Sequence, residues 1–131
     1  MPWLFAQDGK GLAAPDGEII DENAYAGKGI GVNNPEYQHV VKTGPLPIGR
    51  YHIGKDYQHP RLGSIVMNLD PLPGTEQFGR SAFRIHGDNR RGDRSGSEGC
   101  IVTNRAVREM IANSPDRIME VVETFEVTED P

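Results

Sequence analysis

The sequence predicts one mainly β domain with a single helix near its carboxy terminus. Three observations carry this. Short apolar or alternating runs recur between Gly- and Pro-marked turns, only one stretch has helical periodicity, and 131 residues suit one compact core without disulfide or metal staples. No repeat, linker or low-complexity segment interrupts the chain, so the domain is expected to span residues 1–131.

Trp3 to Gln7 is aromatic and apolar and stops at Asp8-Gly9, a turn signal suited to a hairpin whose returning strand is Leu12-Ala13-Ala14. Asp16-Gly17 marks a second turn, followed by a short strand at Glu18 to Asp21. Tyr25 to Pro35, YAGKGIGVNNP, carries glycines at 27, 29 and 31. It lacks the Gly-Lys-Ser/Thr ending of a phosphate cradle, which leaves two readings: a loop requiring close backbone approach, or a substrate-facing loop. Pro45 and Pro47 form a rigid entry to a strand at Gly49 to Gly54, where Tyr51 and Ile53 alternate with Arg50 and His52. Leu62 to Leu69 is the most apolar continuous run and predicts a central strand, stopped by Asp70-Pro71-Leu72-Pro73-Gly74. Phe83-Arg84-Ile85 predicts a half-buried strand ending at His86-Gly87. Asn104 to Asn113 predicts the helix, capped by Thr103 or Asn104, with Val107, Met110 and Ile111 on one face and Ser114-Pro115 as its stop. Ile118 to Val127 holds one or two further strands, and Thr128 to Pro131 a frayed acidic tail.

Fourteen basic against nineteen acidic residues give a net charge of −5 and a pI near 5.3, which argues against a nucleic-acid partner. The one basic cluster, Arg84, Arg90, Arg91 and Arg94, is interleaved with Asp88 and Asp93 and reads as a solvated or substrate-facing loop. A lone cysteine cannot form an internal disulfide, and the opening MPWLFAQDGK has neither the basic region nor the apolar core of a signal peptide. Synthesis in the cytoplasm without Sec export is therefore expected. No apolar run approaches the ~18 residues a bilayer demands, so no membrane insertion is expected.

Phe83 to Val102, FRIHGDNRRGDRSGSEGCIV, concentrates the chemistry. His86 and Cys100 stand at the two ends of a polar loop flanked by strands. An imidazole beside a thiol can take its proton and raise the thiolate population. Gly99 has no side chain, so the amides of Glu98, Gly99 and Cys100 can turn toward one point and form an oxyanion hole. Arg84, Asp88 and Ser97 are the neighbouring candidates for substrate contact. The alternative is that Cys100, followed by Ile101-Val102, is only a small buried hydrophobe. A zinc site would need paired short spacings that one cysteine and four scattered histidines do not provide. His39, His52 and His59 read as surface or packing residues.

His86-Gly87, then a loop, then Ser97-Glu98-Gly99-Cys100-Ile101 resembles the L,D-transpeptidase signature, a His-Gly pair preceding a Ser/Thr-His-Gly-Cys block. Papain-like cell-wall amidases carry the cysteine first, opposite to the order here. The whole chain, from Trp3 to Ile111, is similar to small L,D-transpeptidase-like effectors of bacterial type VI secretion systems. The matching blocks are Tyr25-Ala26-Gly27-Lys28-Gly29 leading to Asn33-Asn34-Pro35, Gly44-Pro45-Leu46-Pro47-Ile48-Gly49-Arg50-Tyr51, and His86-Gly87-Asp88 to Ser97-Glu98-Gly99-Cys100.

That resemblance implies a β-sandwich like the L,D-transpeptidase catalytic fold, with the helix after the nucleophile. It implies cysteine acyl transfer on peptidoglycan stem peptides. Cys100 would attack the carbonyl joining diaminopimelate to a terminal D-alanine, and His86 would act as base and then acid. The carbonyl of Gly87 would orient His86, with Asp88 as competitor. The implied products are those of an L,D-carboxypeptidase with D-amino-acid exchange, no cofactor being involved. An antibacterial toxin is further implied, acting in the periplasm of a target bacterium, with a cognate immunity protein and a candidate secretion-system adaptor as partners. A wall-building transpeptidase and a non-catalytic peptidoglycan-binding or adaptor domain are the rival expectations. Glu98, in place of the signature's second histidine, and Val102, where Asn or Arg often follows, depart from the family pattern.

Overall fold

The computed structural model describes residues 1–92 and 96–125. Nine strands and one α-helix follow in order. The strands are β1 (Trp3–Ala6), β2 (Gly11–Ala13), β3 (Ile19–Asp21), β4 (Gly49–Ile53), β5 (Tyr57–His59), β6 (Gly63–Pro71), β7 (Arg84–His86), β8 (Ile101–Val102) and β9 (Ile118–Val122), with α1 (Arg105–Ala112) between β8 and β9. The expected class, mainly β with one helix after the cysteine, is what the chain adopts. The expected acidic tail, the end of the last run beyond residue 125, and Asp93 and Arg94 lie outside the described residues.

The strands form one mixed sheet in the order β3-β2-β1-β9-β4-β6-β7-β8, with β5 added to β6. β1 and β2 make the anticipated hairpin, with Ala6 opposite Gly11, but the connection is four residues, Gln7 to Lys10, rather than a two-residue turn. β1 also pairs in parallel with β9, Phe5 opposite Val121, so the two ends of the chain stitch the sheet's centre. The long strand β6 serves three neighbours. Leu69 to Pro71 pair with β4, Met67 and Asn68 with β7, and Gly63 to Val66 with β5. At Ile65 the backbone turns to φ +55°, a costly conformation for a β-branched residue.

The two ends of this path meet. Tyr25, just beyond β3, exchanges backbone hydrogen bonds with Val102 of β8, Tyr25 N–H to Val102 O at 3.0 Å and Val102 N–H to Tyr25 O at 2.8 Å. Asp21 Oδ2 accepts from Thr103 Oγ1 at 2.5 Å and from the Asn104 amide at 3.3 Å. The sheet thus folds back on itself around one core, to which Phe5, Leu12, Tyr51, Leu69, Ile85 and Ile101 all contribute.

α1 closes the core from outside. Asn104 caps it, its side chain accepting the Val107 amide at 2.9 Å, which selects Asn104 from the two expected caps. Val107 and Ile111 are buried, contributing about 1.5–3 kcal/mol each by the usual transfer scale. Met110 was expected on the same face but is 49% exposed. The buried stripe is one i, i+4 row wide, and Met110 lies beside it. β5 was not anticipated, because Tyr57-Gln58-His59 is too short and polar to announce a strand.

Asp21→Ala should remove the buried acceptor joining the sheet's ends and the helix start, lowering stability by about 1.5–3 kcal/mol. A urea denaturation midpoint equal to wild type would contradict this.

Candidate active site

The site is assembled by the pairing of β7 with β8. These strands run parallel, Ile85 opposite Ile101 and His86 opposite Val102. Cys100 stands just before β8, two residues from the partner of His86. Both side chains line one groove of about 620 Å³.

His86 is only 3% exposed, and its Nδ1 lies 2.7 Å from the carbonyl oxygen of its neighbour Gly87. A carbonyl can only accept, so Nδ1 carries the hydrogen and Nε2 is left as the basic nitrogen. Burial holds the His86 pKa below its ordinary value, against the pull of the Gly87 carbonyl, and the Arg108 and Arg84 guanidiniums push it the same way. The imidazole is neutral at neutral pH, as a general base must be. Asp88, the other candidate orienter, contributes charge but no hydrogen bond to the ring.

Cys100 is partly buried, with Sγ 3.8 Å from the Ala82 carbonyl oxygen. Burial raises its pKa; the Arg84 backbone N–H, the Arg84 and Arg80 guanidiniums oppose that rise, and Glu98 adds to it. The charges that favour the thiolate are the guanidiniums of Arg84 and Arg80.

The turn that presents Cys100 is held by Ser97. Its buried hydroxyl donates to the Cys100 carbonyl at 2.7 Å and accepts the amides of Gly99 at 3.0 Å and Gly27 at 3.2 Å. One donor and two acceptor positions are thereby filled. Ser97, expected as a substrate contact, fastens the turn through these three bonds. The Gly99 amide, one of the three expected oxyanion donors, is engaged by the same hydroxyl. Gly99 itself has φ +137°, and a Cβ there would collide with Arg80 Nη2. Asp88, expected as a substrate contact, does not line this groove; it accepts from the Tyr25 hydroxyl at 2.6 Å, beside a smaller hollow of about 390 Å³. The same hydroxyl accepts the Gly96 amide at 3.2 Å, so Tyr25 ties together residues on both sides of the loop.

Arg84 and Glu98 do line the groove. Arg84 Nε donates to the Tyr57 hydroxyl at 3.2 Å, and that hydroxyl donates to Asn68 Oδ1 at 2.6 Å, so β5 steadies the arginine. Among the described residues four further cations, Lys28, Lys42, Arg61 and Arg80, share the wall with it, against the one carboxylate of Glu98. No sequence pattern singled these out, although Lys28 sits within the glycine-rich stretch, whose Gly27 docks on Ser97. His39, His52 and His59 are not on the wall; His59 Nδ1 instead accepts the Arg61 and Leu62 amides of a turn. Among the described residues no three His, Cys, Asp or Glu side chains cluster as metal ligands, and no helix is long and apolar enough to cross a membrane.

A thiol pushed up and an imidazole pushed down leave the resting pair neutral, thiol beside imidazole, at pH 7. Alkylation of Cys100 by iodoacetamide should therefore keep accelerating above the pH at which an ordinary thiol ionises; a plateau between pH 6 and 7 would refute the neutral pair. Because the Glu98 carboxylate opposes ionisation of the thiol, Glu98→Gln should leave turnover within about tenfold of wild type, about 1.4 kcal/mol, whereas a thousandfold loss would make that carboxylate a participant.

Against known proteins, a model of the Tlde1 domain matches residues 21–127 of the chain. No curated protein and no solved structure matches it.

Proposed function

The chain belongs to the Tlde1 domain family of type VI L,D-transpeptidase-like effectors, which act on peptidoglycan, and from this we propose that Cys100 is the nucleophile and His86 the base of an L,D-carboxypeptidase. The observation that supports it best is geometric: a histidine with its tautomer fixed by the Gly87 carbonyl shares one groove with the protein's single cysteine. The substrate is a tetrapeptide stem, and the bond cut joins diaminopimelate to the terminal D-alanine.

As the Cys100 sulfur attacks the diaminopimelate carbonyl carbon, its proton passes to His86 Nε2. The amides of Glu98 and Cys100 serve the developing oxyanion, the Gly99 amide being engaged with Ser97. Collapse of the intermediate breaks the C–N bond, His86 returns the proton to the departing amine of D-alanine, and a thioester remains. Water then adds to the thioester carbonyl, giving its proton to His86, and expulsion of the reprotonated thiol yields the tripeptide. A free D-amino acid can replace water, which gives exchange. Stem peptides carry several carboxylates, and the cations of the wall, Arg84 among them, suit them as binding groups.

A family of type VI effectors implies delivery to a target cell. Within that setting the protein acts as an antibacterial toxin in the target's periplasm, trimming or capping stems so that they can no longer be cross-linked. A cognate immunity protein in the producer and an adaptor for loading are its expected partners.

Tetrapeptide muropeptides incubated with the protein and D-methionine, followed by mass spectrometry, should give tripeptide and the D-methionine-exchanged tetrapeptide. Dimers cross-linked between third residues as the main product would make it a wall-building enzyme instead. Cys100→Ala and His86→Ala should each abolish turnover with unchanged thermal melting, because the two act as one unit. Retention of more than about 5% of wild-type turnover by either would sink the assignment, since lone deletions in such units cost several orders of magnitude.

A further inference from the structure

Arg80 is the most unusual charged group in the molecule. It is 5% exposed, and its guanidinium is satisfied by backbone carbonyls. Nη1 donates to Gln38 O at 2.6 Å and Pro45 O at 2.8 Å, and Nη2 to Gly44 O at 2.9 Å and Glu98 O at 3.3 Å. The guanidinium carbon sits 5.6 Å from the centre of the Phe83 ring. Among the described residues the ion pairs are Met1 with Asp116 and Arg105 with Glu109, so no carboxylate neutralises Arg80 there.

A buried cation is expensive to maintain, and one with only neutral partners keeps its field. Three of its four acceptors belong to the chain between Gln38 and Pro45, and the fourth is the carbonyl two residues before the thiol. The Leu46 amide adds a second tie between the same segments by donating to the Gly99 oxygen at 2.9 Å. Arg80 also forms part of the groove wall beside Cys100. A rigid fork can reach four carbonyls at once; a lysine ammonium, with three donors and no fixed plane, cannot.

We propose that Arg80 is a positioning residue for the nucleophile: its guanidinium clamps the Glu98–Cys100 turn to the Gln38–Pro45 segment and holds an unneutralised positive charge beside the thiolate. The proposal rests on Cys100 being the nucleophile. It assigns Arg80 two separable effects, one of geometry and one of charge. The charge also appears in the thiol's own equilibrium, where Arg80 favours the ionised form, although burial outweighs it.

The test compares Arg80→Lys and Arg80→Gln in the full chain. In Arg80→Gln the iodoacetamide alkylation rate of Cys100 at pH 8 should fall about tenfold, the effect of a shift of about one pH unit. Arg80→Lys, which keeps the charge and loses the fork, should alkylate within about threefold of wild type yet turn over tetrapeptide about tenfold more slowly, with KM little changed. A folded Arg80→Gln that alkylates like wild type overturns the proposal. Should Arg80→Gln not fold, Arg80→Lys decides alone, wild-type kcat refuting the clamp and a lowered kcat at normal alkylation supporting it. Failure of both variants to fold overturns the proposal by making Arg80 a structural residue. If the wild-type protein does not act on tetrapeptide, the peptidoglycan reading fails, and the alkylation comparison, which needs no substrate, still judges Arg80.

Discussion

The parallel pairing of β7 with β8 is the constraint on which the site depends. Two parallel neighbours cannot be joined by a tight turn; the chain must leave the end of the first and travel back to the start of the second. Such a return usually passes through a helix, but the described residues of this connection, Gly87 to Gly92 and Gly96 to Gly99, form none. One strand therefore ends at His86 and the next begins just after Cys100. Their shared groove follows from the register, which puts His86 against Val102, two residues after Cys100.

A loop of this kind has few backbone partners of its own, so side chains must hold its ends. Tyr25 binds the Asp88 carboxylate and the Gly96 amide, Ser97 fills all three positions of its hydroxyl within the turn and on Gly27, and Arg80 ties Glu98 to the Gly44–Pro45 segment. Apart from Arg80, each of these groups comes from one of three sequence blocks far apart in the chain: the glycine-rich stretch after Tyr25, the Gly-Pro-Leu-Pro segment, and the His86–Cys100 block itself. Gly99 illustrates how closely they pack, since a Cβ there would lie 3.2 Å from the Gly44 carbonyl oxygen. Two of the blocks thus serve the third, and neither contains the proposed nucleophile or its base.

This division explains what could be read in the sequence. His86 and Cys100 were legible because thiol and imidazole are scarce and their placement at strand ends is a local property. The strands built on alternation or continuous apolarity, β1, β4 and β6, and the helix were legible for the same reason. Arg80 was not, because Phe78-Gly79-Arg80-Ser81 carries no periodicity or motif, and its role exists only once four carbonyls from distant segments converge on it. The fastening contacts of Ser97 and Asp88 were not legible for a related reason. Polar residues beside a candidate nucleophile read as substrate contacts, while the bonds that engage them come from Gly27, Gly99 and Tyr25. β5 escaped notice because its three residues gain their pairing from β6 and not from their own propensity.

The charge of the molecule is divided in a way that composition could not show. A chain with a net charge of −5 gathers Lys28, Lys42, Arg61, Arg80 and Arg84 around one groove, with Glu98 the one opposing carboxylate among the described residues. A concave, partly desolvated wall concentrates the field of those cations, while the acidic remainder repels anions elsewhere. For a substrate bearing carboxylates, that arrangement favours approach to the groove over adsorption to the rest of the surface. The same field has a second consequence at the reacting atoms. At the thiol, Arg84 and Arg80 favour ionisation while burial discourages it. On the proposed acyl-transfer reading, the same guanidiniums face the negative charge of thiolate and oxyanion, so stabilisation is concentrated on the reacting states. A thiol that rests neutral and ionises only on attack can be partly buried and cation-flanked at once, and Cys100 is partly buried beside Arg80 and Arg84.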